Sequence, residues 1–152
     1  MNILFICNGN VCRSPLAAAL LKKKFKDNNI PGEVSSAGFE SFNINEPPDS
    51  NTQEIAKSHN LELEHSARIF RKSDFKKFDK IYVMDTRNFR DVKDLTGNDA
   101  EREKVDYLMN VIEPGKSMII PDPYFSGEID IEGIYDLLDE VTDKLVEMYS
   151  NK

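Results

Sequence analysis

Cysteine is scarce in this chain: two residues among 152, Cys7 and Cys12, both in one short stretch. Such a pair is no disulfide framework for a secreted fold. A Cys-x4-Cys spacing with no further cysteine and no neighbouring histidine is also too few ligands for zinc. Long apolar runs are missing. Nothing approaches the ~20 residues needed to span a bilayer. Met1-Asn2 leads into a four-residue apolar run and then polar residues, which is not the pattern of a signal peptide. The expectation is a cytoplasmic protein with no membrane partner. Positive charge is in deficit, 20 Lys and Arg against 27 Asp and Glu, net −7. That argues against nucleic acid, whose binders carry basic patches. Repeats and low-complexity segments are absent. At 39% hydrophobic and 31% charged residues, the composition fits one globular domain over 1–152.

What the chain does have is concentrated at its start. Ile3 to Ile6 reads as a short buried β-strand ending at Cys7. A tight loop follows, Asn8-Gly9-Asn10-Val11-Cys12. Arg13, Ser14 and Pro15 then lead into Leu16-Ala17-Ala18-Ala19-Leu20-Leu21, a helical composition. A thiol thus stands where a strand's C-terminal end meets a helix N-terminus, the place where open α/β sheets bind ligands. Helix N-termini hold anions and favour a thiolate over a thiol. Arg13 adds a planar fork that matches two phosphate oxygens. A five-residue loop can curl its N–H groups around one tetrahedral oxyanion, and Gly9 and Asn10 suit it because both tolerate positive φ. Cys-x5-Arg-Ser at a strand–loop–helix junction is the arrangement of cysteine-dependent phosphatases. The plain alternative is a buried strand-end cysteine before a capped helix. With net charge −7, attraction for a phosphate ester must be local, from Arg13 and the loop amides.

Further along, strands are expected at about 33–37, 80–84 and 105–111, and helices over about 14–27, 52–60, 85–95 and 133–149. Ser73 is expected to cap a short turn through Lys77, and the stretch 61–70 reads as irregular. The last helix rests on Ile134, Leu137, Leu138, Val141, Leu145 and Met148 at helical spacing. Strands alternating with helices imply a parallel sheet covered on both faces, an α/β fold. The run Lys22-Lys23-Lys24-Phe25-Lys26 reads as a solvated helix end, with docking as the alternative. His59 reads as solvated. Pro121-Asp122-Pro123 is either a turn or a stiffened platform for an acid that must reach an ester oxygen.

The opening Cys7-Asn8-Gly9-Asn10-Val11-Cys12-Arg13-Ser14-Pro15 resembles the signature of the low-molecular-weight protein tyrosine phosphatases. So do Ser35-Ser36-Ala37-Gly38, Glu46-Pro47-Pro48-Asp49, His65-Ser66-Ala67-Arg68, Asp74-Phe75, Phe78-Asp79 through Met84-Asp85, and Pro121-Asp122-Pro123-Tyr124. The resemblance covers nearly the whole chain. It implies a four-stranded parallel sheet in order 2-1-3-4, with Cys7 at the switch point, and hydrolysis of phosphotyrosine or small aryl phosphates through a phosphocysteine. It implies Cys7 as nucleophile, Arg13 and the amides of residues 8–13 as phosphate cradle, and Asp122 as general acid and then base. Ser14 would hydrogen-bond the sulfur, cap the helix, or both. Phe42 and Tyr124 match the walls of the cleft, with core packing as the alternative for each, and Phe125 is placed beside them or in the core. Asn10, Ser14, Ser36 and His65 match a polar network that fixes the loop, with a surface histidine as the alternative for His65. Cys12 would form a reversible disulfide with Cys7, support the loop, or both. No cofactor or metal is implied, and a monomer or weak dimer is expected. Asn8 departs from the pattern, most members having Leu or Thr there. An arsenate reductase of the same fold needs downstream cysteines, and none follows Cys12. A protein-arginine phosphatase shares the loop but resembles this chain less at Val11, where it carries Thr.

Overall fold

The computed structural model describes residues 1–124, 127 and 129–150. Strand β1 is Ile3–Ile6, followed by α1 Arg13–Asp27, β2 Val34–Ala37, α2 Ser50–Ser58, α3 Asp74–Lys77, β3 Lys80–Val83, α4 Thr86–Lys93, α5 Asp99–Lys104, β4 Val105–Tyr107 and α6 Ile131–Ser150. The four strands form one parallel sheet in the order β2-β1-β3-β4. Ile6 lies level with Ala37 on one side and Val83 on the other. Cys7, Gly38 and Met84 therefore leave the sheet at the same end. The chain runs from β1 to β2 on one side and then crosses to β3 on the other, so the crevice opens beside β1.

All four residues of β1 are fully buried, because both faces of the strand are covered. Period 2 sorts them. Ile3, Phe5 and Cys7 join a core built with Leu16, Leu20 and Leu21 of α1 and Ile134, Leu138 and Leu145 of α6. Leu4 and Ile6 join the other core, with Phe75, Phe78, Ile81, Val83 and Val92. Truncating such a side chain to alanine costs about 2–5 kcal/mol. The helical spacing read in 133–149 buries Ile134, Leu138, Val141 and Leu145, while Met148 stays exposed.

Two expectations shift. The fourth strand stops at Tyr107, and Leu108–Val111 is a 3-10 turn. Asp106 and Asn110 account for this: Asn110 Nδ2 donates to Asp106 Oδ1 at 2.6 Å, a local bond that competes with a continued ladder. A short helix, α5, precedes β4 and is capped by Asn98, whose Oδ1 accepts from Glu101 N at 2.8 Å. His59 is exposed, as read from the sequence, and its ring also has partners. It stacks on Tyr135 at 3.8 Å between centroids and meets Glu132 at 3.0 Å. Among the described residues, no helix is long and apolar enough to cross a membrane.

Candidate active site

The loop after β1 is pinned by its neighbours rather than by itself. Asn10 is its pivot, with φ at +56°, the left-handed region that asparagine tolerates. Its Nδ2 donates to Ser14 Oγ at 2.8 Å and to Ser36 Oγ at 2.9 Å. Its Oδ1 accepts from Arg68 N at 3.0 Å, and its carbonyl faces His65 Nε2 at 2.7 Å. Asn10, Ser14, Ser36 and His65 are thus brought together. Gly9 does not use a positive φ. A Cβ there would stand 3.0 Å from Asn43 Nδ2, so close packing is its reason. Gly38 is tighter still: a Cβ would lie 2.7 Å from Asn8 O and 2.9 Å from Asn10 Cβ, so only glycine lets the end of β2 abut the loop.

Cys7 is buried, and its Sγ lies 2.9 Å from Ser14 Oγ. Because Asn10 Nδ2 is a donor, Ser14 Oγ accepts that bond and its one hydrogen is free for the sulfur. Ser14 lies in the first turn of α1 and makes no capping bond; the N-cap position is Cys12. No acidic residue occupies that first turn, so the positive helix end is left to the loop. Cys12 is the contrasting thiol. Burial pushes it up to about 12, with Asp49 and Cys7 adding to the rise and Thr52 and Arg13 opposing it, so it stays protonated at neutral pH.

Arg13 is 2% exposed, and its Nη1 donates to Asp85 Oδ2 at 2.9 Å and to Ile120 O at 2.7 Å. Burial alone would pull its pKa down. Cys7, then Asp85 and Asp122, outweigh that, and the net shift is upward. Asp122 Oδ2 lies 3.8 Å from Arg13 Nη2, and its Oδ1 accepts from Tyr124 N at 2.9 Å. The loop bearing Asp122 is moored where buried Ile120 N donates to Met84 O at 2.7 Å. The Tyr124 phenol sits against Asp49 and Asn51 at the start of α2; burial first, then Asp49, hold its pKa above the ordinary value. Phe42 on the 3-10 turn Ser41–Asn43 is 77% exposed, and Tyr124 51%, so neither is a core side chain. Phe125 lies outside the described residues.

Several partners carry no sequence signal. Asp85 does two jobs: Oδ1 accepts Asn88 N at 3.0 Å while Oδ2 takes Arg13. It follows β3, which neighbours β1, so sheet order alone could have placed it beside the loop. Asn88 is fully buried. In the amide orientation that satisfies it, its oxygen accepts Asn8 N at 3.2 Å and its nitrogen faces Ile6 O and Asp85 Oδ1, both at 3.3 Å. Among the described residues, the amides of Gly9 to Arg13 have no hydrogen-bond acceptor. Asn8 Nδ2 donates to Glu40 Oε1, and Asn43 Nδ2 meets Glu40 Oε2 at 3.3 Å, so a carboxylate stands at the rim beside Gly9. Val11 O accepts Asp49 N at 2.9 Å, tying the loop to α2.

Taken together, a buried thiol, a buried guanidinium and a carboxylate from a distant loop converge on one set of free amides. The sequence matches the model of the low molecular weight phosphotyrosine protein phosphatases over residues 2–152. The chain belongs to that family, a family of hydrolases. The low molecular weight phosphotyrosine protein phosphatase of Homo sapiens is 37% identical over 136 residues, covering 88% of this chain and 86% of that protein. A protein tyrosine phosphatase from Entamoeba histolytica, solved with Hepes in its active site, superposes with a TM-score of 0.89 at 29% identity, covering 99% and 97% of the two chains. The Drosophila arginine phosphatase gives 0.88 at 31%, covering 98% of each.

Within this phosphatase fold, His65 makes a testable contribution. Burial, with Lys22 and Arg68 nearby, holds it below its ordinary 6.5 against the opposing bond to Asn10. The folded protein therefore takes up the proton less readily than the unfolded chain. Stability owed to neutral His65 is full above about pH 6.5 and is lost as pH falls through the lowered value. Denaturant midpoints from about pH 7 to about pH 5 should drop more for the wild type than for His65→Gln. Equal slopes would show that its protonation is not coupled to folding.

Proposed function

We propose that this chain hydrolyses phosphotyrosine, in proteins or as small aryl phosphates, through a phosphocysteine on Cys7. The observation that supports it is Asp122, 3.8 Å from the guanidinium of Arg13 on the loop that carries Cys7. Cys7 Sγ attacks phosphorus as the P–O bond to the phenol breaks, and Asp122 delivers its proton to the departing oxygen. Arg13 and the amides of Gly9 to Arg13 hold the equatorial oxygens. Water then attacks the phosphocysteine and gives its proton to Asp122. The S–P bond breaks, inorganic phosphate leaves, and the Ser14 hydroxyl steadies the returning thiolate. The scheme uses no cofactor. Phe42 and Tyr124, exposed on segments that flank the loop, suit an aromatic leaving group. We place the enzyme in the cytoplasm, as a monomer or weak dimer.

Phosphoarginine is the second reading, favoured by the likeness to the Drosophila arginine phosphatase and opposed by the apolar Val11 in the loop. Comparing kcat/KM for p-nitrophenyl phosphate and phosphotyrosine with that for phosphoarginine separates them. Faster turnover of phosphoarginine would displace the phosphotyrosine reading.

Asp122→Asn should lose most activity on phenyl esters with poor leaving groups and less on those with good ones, since a good leaving group needs little protonation. A series of aryl phosphates under single-turnover conditions isolates the first step. An equal deficit across the series would show that Asp122 is not the donor. The donor would then have to be sought among other acids, with Asp85 and Asp49 next in line.

A further inference from the structure

A cavity of about 480 Å³ lies behind the loop, between α1, β2 and the segment 60–65, and none of residues 7–14 lines it. Its origin is legible in the residues. The face that α1 turns toward it carries Ala18 and Ala19, which leave space where larger side chains would fill it. The segment facing α1 alternates: Leu61 is buried, Leu63 and His65 are half-buried, and Glu62 and Glu64 are exposed. Extended backbone thus turns the apolar side chains and the imidazole inward and leaves the carboxylates at the mouth.

The lysine run divides at the same place. Lys24 leaves it, binding Asp139 at 2.6 Å and Asp143 at 2.8 Å on α6. Lys23 pairs with Asp27 at 2.7 Å. Lys22 and Lys26, one turn apart on the cavity's edge, have no carboxylate partner among the described residues. The wall behind them leads to the catalytic sulfur. His65 meets Asn10 O at 2.7 Å, Asn10 Nδ2 donates to Ser36 Oγ at 2.9 Å and to Ser14 Oγ at 2.8 Å, and Ser14 meets Cys7 at 2.9 Å.

We propose that this cavity is an effector site for a small aromatic monocarboxylate. Its ring would lie on Ala18, Ala19 and Leu63, its carboxylate between Lys22 and Lys26, and its presence would reach the loop through His65 and Asn10. One negative charge suits the site better than two. Asp27, Glu62 and Glu64 also line it, matching its three lysines in number, so a dianion meets repulsion at the mouth. The action on the loop rests on the phosphatase reading above; the binding does not.

The test uses 2-naphthoate as probe on the full chain, with two readouts. The first is the imidazole NMR signal of His65, assigned against His59, the other of two histidines. A saturable shift is expected, with Kd on the order of 1 mM for a ligand of that size. It should persist in saturating inorganic phosphate and disappear in the double variant Lys22→Glu/Lys26→Glu. The second is turnover of p-nitrophenyl phosphate, where kcat should change by about twofold or more. No shift up to about 10 mM, a shift abolished by phosphate, or one unchanged in the double variant would overturn the site. Binding with kcat unaltered would overturn the effector role. An enzyme inactive on every phosphate ester would instead sink the phosphatase reading, while the His65 signal still decides the binding.

Discussion

Cys7→Ser is expected to abolish turnover of p-nitrophenyl phosphate, by on the order of 10⁴-fold or more, judged from the loss of other covalent nucleophiles. A serine hydroxyl fits the space of the thiol, and the hydrogen bond available from Ser14 remains. It does not ionise near neutral pH as a thiol can, so the attacking anion is missing. The cradle is untouched. Arg13 keeps Asp85 and Ile120 O, and Asn10 keeps all its partners, so inorganic phosphate should still bind with an affinity close to that of the wild type. Steady-state kinetics and isothermal titration with phosphate check the two halves. Wild-type turnover in the variant would remove the phosphocysteine mechanism. Lost phosphate binding would mean that the thiol holds the loop together, and kinetics alone would then be silent on chemistry.

Arg13→Lys should cost about 10²- to 10³-fold in kcat/KM although the charge is kept, the range seen when one transition-state donor is removed. The guanidinium divides its work. Nη1 is spent on Asp85 and Ile120 O, while Nη2, 3.8 Å from Asp122, remains to face a phosphate. An ammonium is a single point. If it holds Asp85 it leaves the phosphate, and if it reaches the phosphate it leaves a partly buried carboxylate with one partner fewer. The carbonyl of Ile120, itself fully buried, also loses its donor, so the segment leading to Asp122 should loosen. A rate within about threefold of wild type would mean that Arg13 does not clamp the transition state. Thermal unfolding of the variant separates that loss from a general one.

These residues differ in how legible they were. Cys7, Arg13 and Ser14 belong to one strand–loop–helix unit, and the type and spacing of neighbours are enough to reveal it. Asp122 stood out from the other acids only through its two prolines and its likeness to a known motif. Asp85 caps α4, but its second oxygen holds Arg13, and no local pattern announces that. Glu40, Asn88 and Thr52 gave no signal, because each meets the loop only from far away in the chain. Gly9 shows a right residue with a different reason: close packing against Asn43, not a left-handed turn.

By itself, then, the sequence determined the alternation of strands and helices, the two-faced burial of β1, and a thiol and guanidinium at a helix N-terminus. Periods of 2 and 3.6 and a five-residue loop are set by short-range geometry, which neighbouring residues carry in full. The tertiary structure alone decided that Asp85 holds Arg13, that Arg68 N fills Asn10 Oδ1, and where a cavity opens behind the loop. Those depend on the parallel register that sets the ends of β1, β2 and β3 level, and on close packing between distant segments. Buried polar groups must find partners wherever the fold brings them, and the order of residues along the chain does not name those partners.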